Sequence, residues 1–365
     1  MLVKKILAVA TILICATTST TAYSCGSYKN LNKCSSAKKA LKRLKKKNPY
    51  TFDREFVNAG EKRLEAFDYD KFSVEIADLK KISKKEEYAY YTFTLKGKNP
   101  TYDHSKLKSP LNQEMMSAKI HYYKSLTKKG KRPLIIGFPT IMKMDKAEPI
   151  FSKSMTKRGL SVMILEVESI VEPSIPLDEI NNIMRRSIIK ARMLIDIAEK
   201  NFHEELNLST IGTWGLSLGG VNAATFIGVD RRVTAAFVIS AGGNNADIFT
   251  HSKQKFVTIF RNKKLEEYSF TPDQFFNYIR ENSIVDPLYF AHRVPSEQIN
   301  IIMARKDKLI PTRTQIELWN AFGKPGPIRK NWVRGKHKSP IYRYLLVPTF
   351  PGRIANFFKK RFKGK

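Results

Sequence analysis

Residues 215–219, Gly-Leu-Ser-Leu-Gly, constrain this chain more than any other stretch. The spacing Gly-x-Ser-x-Gly is that of a tight turn that lifts a serine off a strand end and onto a helix N-terminus. The serine in such a turn sits at φ > 0, and there is no room for a Cβ two positions before or after it. Glycine at 215 and 219 meets that demand. A pentapeptide with three fixed positions also arises by chance, so a glycine-rich surface loop is the plain alternative. The flanking sequence decides between them.

Residues 211–214 form a short strand-like run before the motif, and Val221, Ala224, Thr225 and Ile227 suit a small-residue helix behind it. Residues 233–240, Val-Thr-Ala-Ala-Phe-Val-Ile-Ser, are then apolar without alternation, as in a strand covered on both faces. Strand, turn, helix, strand is the order the motif requires.

The same alternation extends in both directions. Residues 134–138 read as a strand, 147–158 as a helix stopped by Gly159, 160–167 as a buried strand and 178–200 as a long helix. Along that helix Ile180, Ile183, Met184, Ser187, Ala191, Leu194, Ile195 and Ala198 share one face. Residues 299–303 restart the sheet, Pro311 opens a helix over 312–322, and 330–333 are strand-like. The class is therefore α/β with a mostly parallel sheet flanked by helices. Ahead of it, 72–76, 88–95 and 118–123 predict an antiparallel, β-rich extension. Between strands, 244–283 is polar, aromatic-rich and helical in pattern, with Phe249, Phe256, Phe260, Tyr268, Phe270, Phe275, Phe276 and Tyr278, a lid-like insertion able to wall an apolar pocket. An inserted helical pair packed in place explains it more simply than a moving lid.

Two further residues stand at strand ends. Asp307 follows the strand at 299–303, and His337, in Gly335-Lys336-His337, follows the last strand-like run. Ser217, Asp307, His337 is a chain order known for serine nucleophiles on α/β sheets. Asp286, in Val285-Asp286-Pro287, is a competing acid, and His203, His251 and His292 are competing histidines that precede the last strand.

On these residues the stretch 133–346 resembles the α/β-hydrolase family. Gly215-Leu216-Ser217-Leu218-Gly219-Gly220, the loop from Arg305-Lys306-Asp307 to Ile310-Pro311 and Gly335-Lys336-His337 stand where that family keeps nucleophile, acid and base. Asp230-Arg231-Arg232-Val233 and Ser240-Ala241-Gly242-Gly243 are similar to bacterial esterase-like members. The resemblance implies an acyl transfer without cofactor or metal, with oxyanion donors at the backbone N–H groups of Leu218 and Ile141. Pro139-Thr140 replaces the family's frequent His-Gly ahead of Ile141. A small-molecule or lipid ester is the implied substrate. A peptidase or acyltransferase on the same residues, or a non-catalytic basic surface-binding protein on this scaffold, are the alternatives.

The chain ends carry separate signals. Residues 1–24 have Lys4 and Lys5, an apolar stretch over 6–16 and a small-residue segment ending Ala22-Tyr23-Ser24, the pattern of an export signal. Eleven apolar residues fall short of the ~20 that span a bilayer. Cleavage there leaves Cys25 and Cys34, suited to one short disulfide or, with lipid on Cys25, to an anchored form. The protein is expected to be periplasmic or secreted.

Lys plus Arg number 65 against 33 Asp plus Glu, a net charge of +32. Such a field favours anionic partners such as membrane surfaces, although scattered lysines also arise as solvated faces. No nucleic-acid module accompanies the charge, so nucleic acid is not an expected partner. The organisation read from the sequence is a signal over 1–24, a basic arm over 25–49, the extension over 50–132, a hydrolase core over 133–350 with its insertion at 244–283, and a basic helix over 351–365. On that helix Ile354, Phe357, Phe358 and Phe362 share one face, which suits either a membrane interface or docking on the core.

Overall fold

Helix α1 (Arg54–Arg63) leads into an antiparallel ribbon of β1 (Glu75–Lys84), β2 (Tyr88–Lys98) and β3 (Met115–Ser125). Strand and helix then alternate through β4 (Arg132–Phe138), α2 (Ala147–Thr156), β5 (Ser161–Leu165), α3 (Leu177–Asn201), β6 (Leu206–Leu216), α4 (Leu218–Val229) and β7 (Val233–Ile239). Three helices follow, α5 (Asn245–His251), α6 (Lys255–Glu267) and α7 (Pro272–Asn282). The chain finishes with β8 (Ile299–Ala304), α8 (Thr312–Ala321), β9 (Trp332–Val333) and α9 (Thr349–Phe362). The computed structural model describes residues 54–98, 115–127, 129–140, 147–170, 172–326, 331–340 and 349–363. Residues 1–24, read as an export signal, Cys25, Cys34, the basic arm over 25–49 and Ile141 lie outside the described residues.

Among the described residues nine strands form one sheet in the order β1-β2-β3-β5-β4-β6-β7-β8-β9. Pairing is antiparallel from β1 to β5 and parallel from β5 to β9. The sequence reading of a mostly parallel sheet with an antiparallel N-terminal extension and flanking helices is therefore the architecture found. Side chains alternate across the sheet. Leu134 and Ile136 join Ile188 and Leu194 of α3 and Phe226 of α4 in one core, whereas Ile135 joins Phe151 of α2 and Ile354 and Phe358 of α9 in another. Helix α2 ends as its glycine predicts: Gly159 is at φ +85° and Leu160 N–H donates to Met155 O at 3.2 Å.

Two expectations are corrected, and of the two readings of the C-terminal helix one describes what is found. Residues 71–73 form a 3₁₀ turn, not a strand, and β1 begins at Glu75 and runs to Lys84. It is an edge strand, exposed and lysine-bearing, so neither of its faces carries the apolar alternation that marks a strand in sequence. The insertion holds three helices in place of a pair, because Ser252 closes α5 before α6 begins. Finally, the apolar face of α9 is taken. Ile354 and Phe358 are fully buried and Phe362 nearly so, Phe357 meets Phe237 edge to face at 5.6 Å, and a Cβ added to Gly212 of β6 would stand 2.6 Å from Phe358. Docking on the sheet removes most of that face from water, Phe357 being only partly buried.

Candidate active site

Strand β6 delivers Ser217 at its end, and the backbone turns there at φ 59°, ψ −122° before α4 begins. The glycines around it have no slack. A Cβ on Gly215 would stand 2.0 Å from Gly219 O, and one on Gly219 would stand 2.3 Å from Phe138 O at the end of β4. Ser217 N–H donates to Ile239 O of β7 at 2.9 Å, which fixes the turn to the neighbouring strand. Left-handed strain in a residue with a Cβ persists only where the surroundings hold it, and here two strands and a helix do.

The strands β8 and β9 deliver the other two groups. Past β8, Arg305 N–H donates to Val333 O at 3.0 Å and Lys306 N–H to Gly335 O at 2.8 Å, so the two loops are laced together. Asp307 has no exposed side-chain surface. Its Oδ1 accepts from Leu309 N–H at 2.8 Å and Ile310 N–H at 2.9 Å, and its Oδ2 lies 2.7 Å from His337 Nδ1. On its other side the ring places Nε2 2.9 Å from Ser217 Oγ. With the carboxylate accepting throughout, Nδ1–H is the donor to Asp307 and Nε2 is left to accept from the serine hydroxyl. Ser217 and Asp307, named from their strand-end positions, thus each lie within hydrogen-bond reach of His337.

The competitors lie elsewhere. Asp286 is buried and accepts from Asn244 N–H at 3.1 Å, Asn245 N–H at 2.7 Å and Leu288 N–H at 3.0 Å. Burial pushes its carboxyl above the usual range, and those three donors work against the push. It fastens the start of α5 to the segment after α7. His203 pairs with Glu204, His251 with Asp247 and His292 with Glu61.

Of the two oxyanion donors, Leu218 opens α4, where the first N–H groups have no intrahelical acceptor and the helix dipole favours negative charge. Ile141 lies outside the described residues, and the N–H of its neighbour Thr140 donates to Glu148 Oε1 at 3.2 Å.

A cavity of about 60 Å³ adjoins Ser217. Its walls include Ile248, Phe249, Val257 and Phe260 from the inserted helices, Leu309 and Ile310 from the acid loop, and Ile170 and Met184 from the segment after β5 and from α3. The insertion was expected to supply apolar walls. Ile170 was not foreseen, because a lone isoleucine in a loop has no periodicity, and Met184 read only as one more residue on a core face. Two arginine and lysine contacts hold Ile170's loop in place: Glu168 accepts from Arg186 Nη2 at 2.7 Å and from Lys190 Nζ at 2.8 Å. Burial would raise the Glu168 carboxyl, but these partners outweigh it and hold it at about 2.

The parallel sheet, the serine at the strand-to-helix turn and the acid and histidine loops at its far strands define an α/β-hydrolase fold. Among solved structures of that architecture, the chain is similar to acetyl xylan esterase 1 from Thermoanaerobacterium sp. JW/SL YS485, with a TM-score of 0.59 at 14% identity over 88% of this chain and 99% of the other. It is equally similar to an acetyl xylan esterase from Paenibacillus sp. R4, with a TM-score of 0.59 at 13% identity over the same shares of 88% and 99%. At these identities the likeness is one of fold. No family model matches the chain. No curated protein matches it in sequence.

Proposed function

We propose that the chain is an exported serine hydrolase that cleaves carboxylic esters through an acyl-enzyme. Ser217 is the nucleophile, His337 the general base and then acid, and Asp307 the group that orients the imidazole. The observation that carries this reading is the line of hydrogen bonds from Ser217 Oγ through His337 to Asp307, at 2.9 and 2.7 Å, beside a small apolar cavity.

In the reaction, His337 Nε2 takes the hydroxyl proton as Oγ bonds to the ester carbonyl carbon, and Asp307 stabilises the imidazolium that results. The charge that moves onto the carbonyl oxygen meets the N–H of Leu218 at the positive end of α4, with Ile141 N–H as the second donor. The imidazolium returns its proton to the departing alcohol, leaving an ester on Ser217. Water, deprotonated by His337, then releases the acid by the same steps in reverse. The chemistry calls on no cofactor. An ester is favoured over a peptide because the wall beside the nucleophile is apolar, which suits an acyl chain better than flanking amides. The two similarly folded acetyl xylan esterases agree with that choice.

Export rests on residues 1–24, and predicts a mature N-terminus at Cys25, read by mass spectrometry; an added diacylglyceryl mass there would mark an anchored form. The test of the chemistry is labelling by a fluorophosphonate, together with hydrolysis of activated esters. Both should vanish in Ser217→Ala while the protein remains folded, and kcat should fall on the order of 10⁴-fold or more. Labelling that survives the substitution would remove Ser217 from the role.

A further inference from the structure

Behind the cavity at Ser217 lies a second one of about 30 Å³, lined by Leu177, Ile180 and Asn181 of α3 and by Tyr278, Ile279 and Asn282 of α7. Four residues line both spaces: Met184, Asn245, Phe249 and Phe260. They form a partition. Met184 comes from α3 and the others from the inserted helices, and the Phe249 and Phe260 rings meet at 5.9 Å. Asn245 is held as part of the frame, its Nδ2 donating to Val285 O at 2.6 Å and to Ser283 Oγ at 3.3 Å. Met184 and Phe249 have no such anchor and divide the two spaces by bulk alone.

Size then decides what fits. Both spaces are small, about 60 Å³ outside the partition and about 30 Å³ behind it, and an acyl chain bound at Ser217 fills the outer one first. A methylene is close to water in size, and the carbonyl carbon itself must remain at Ser217 Oγ. We infer, on the reading of this site as an ester hydrolase, that its substrates are esters of short linear acyl groups, and that Met184 and Phe249 set the upper limit by closing off the inner cavity. The acyl methyl end points at the partition. A longer chain must displace a packed side chain, and each methylene gained or refused in an apolar pocket changes kcat/KM by about 10- to 200-fold.

The experiment is a chain-length series of p-nitrophenyl esters, from acetate to decanoate, on the full chain, normalised to the fraction labelled by a fluorophosphonate. Wild type should favour acetate to butanoate and drop by tenfold or more at octanoate. Phe249→Ala and Met184→Ala, which open the partition from its two sides, should each raise the octanoate-to-butanoate ratio by tenfold or more. Val257→Phe narrows the outer cavity without touching the partition and should shift the preference the other way, towards acetate. Wild type that prefers octanoate would overturn the inference. So would opened variants that label normally yet keep the short-chain preference. A wild type that labels but cleaves no ester of the series, or that fails to label, overturns the ester-hydrolase reading itself and the inference with it.

Discussion

Ser240, at the end of β7, donates its hydroxyl to the main-chain carbonyl of His337 at 3.2 Å. Its own N–H donates to Ile302 O of β8 at 2.7 Å, and its backbone is at φ 49°. The residue ties the loop that carries the imidazole to β7, next to the strand of Ser217, and to β8 beyond it. Ser240→Ala should lower kcat by about threefold to tenfold, the range of one neutral hydrogen bond, with KM little changed. Because the bond positions the loop and touches no substrate, the melting temperature should move much less than the rate. A fall in stability with unchanged kcat would make Ser240 a purely structural residue.

The two aspartates separate by what each substitution damages. Asp307→Asn keeps an oxygen to accept from the Leu309 and Ile310 N–H groups but favours the wrong imidazole tautomer, and kcat should fall on the order of 10⁴-fold with the fold intact. Asp286→Asn keeps turnover within a few fold. It disturbs a buried group that serves three backbone N–H donors, so the protein should melt several degrees lower. Paired kinetics and melting curves decide, and a large loss of kcat at 286 would reverse the assignment.

Glu168 should give stability a signature in acid. Its carboxyl titrates at about 2 in the folded chain against an ordinary 4.5, so it binds its proton more readily when unfolded. That contribution is complete above about pH 4.5 and is lost as the pH falls towards 2. Glu168→Gln should therefore melt below wild type at pH 7, and the two curves should converge near pH 2. A constant gap at all pH values would show that the loss comes from packing and not from charge.

Gly219 has no space for even one methyl group between the carbonyls of Phe138 and Pro139, which would stand 2.3 and 2.4 Å away. Gly219→Ala should shift the turn, destabilise the protein by about 1–3 kcal/mol and abolish fluorophosphonate labelling. Unfolding in denaturant and gel-based labelling read the two effects independently. Normal labelling in the variant would show that the turn tolerates a change of path.

Removal of residues from Gly352 onward should destabilise the fold, and Phe358→Ala alone should cost about 3–5 kcal/mol, as for other fully buried phenylalanines. Binding to acidic-lipid vesicles, if it occurs, then comes from the net charge of +32 and not from α9. Such binding should fade between 0.1 and 1 M salt, as the Debye length shortens from about 10 to about 3 Å. Salt-resistant binding that depended on Phe357 would restore the interfacial role of that helix.

What could be read from the sequence follows from how each residue signals itself. The turn at Ser217 is written in its glycines, and the buried strands announce themselves by unbroken apolar runs. Asp307 and His337 were identified by falling after strands, which works because parallel strands all point their C-terminal ends to one edge of the sheet. The edge strand β1 could not be found that way, since exposed faces place no demand on residue type. Neither could Ser240 or Ile170. One is chosen by a single hydrogen bond to a loop 97 positions away, the other by the shape of a cavity, and neither cause has a period. For α9 the apolar stripe was visible but ambiguous, because a core and a membrane ask for the same pattern.

The docking of Phe358 against Gly212 also orders events in time. Ribosomes extend the chain from its N-terminus at about 5–20 residues per second, and domains form as their parts emerge. The strand that presents Ser217 is made long before the helix that covers its second face. Until α9 emerges, Gly212 and Phe237 lack the phenylalanines that cover them, and only α2 shelters that side of the sheet. A nascent chain that ends short of residue 349 therefore carries the turn at Ser217 on a strand covered on one face and half bare on the other.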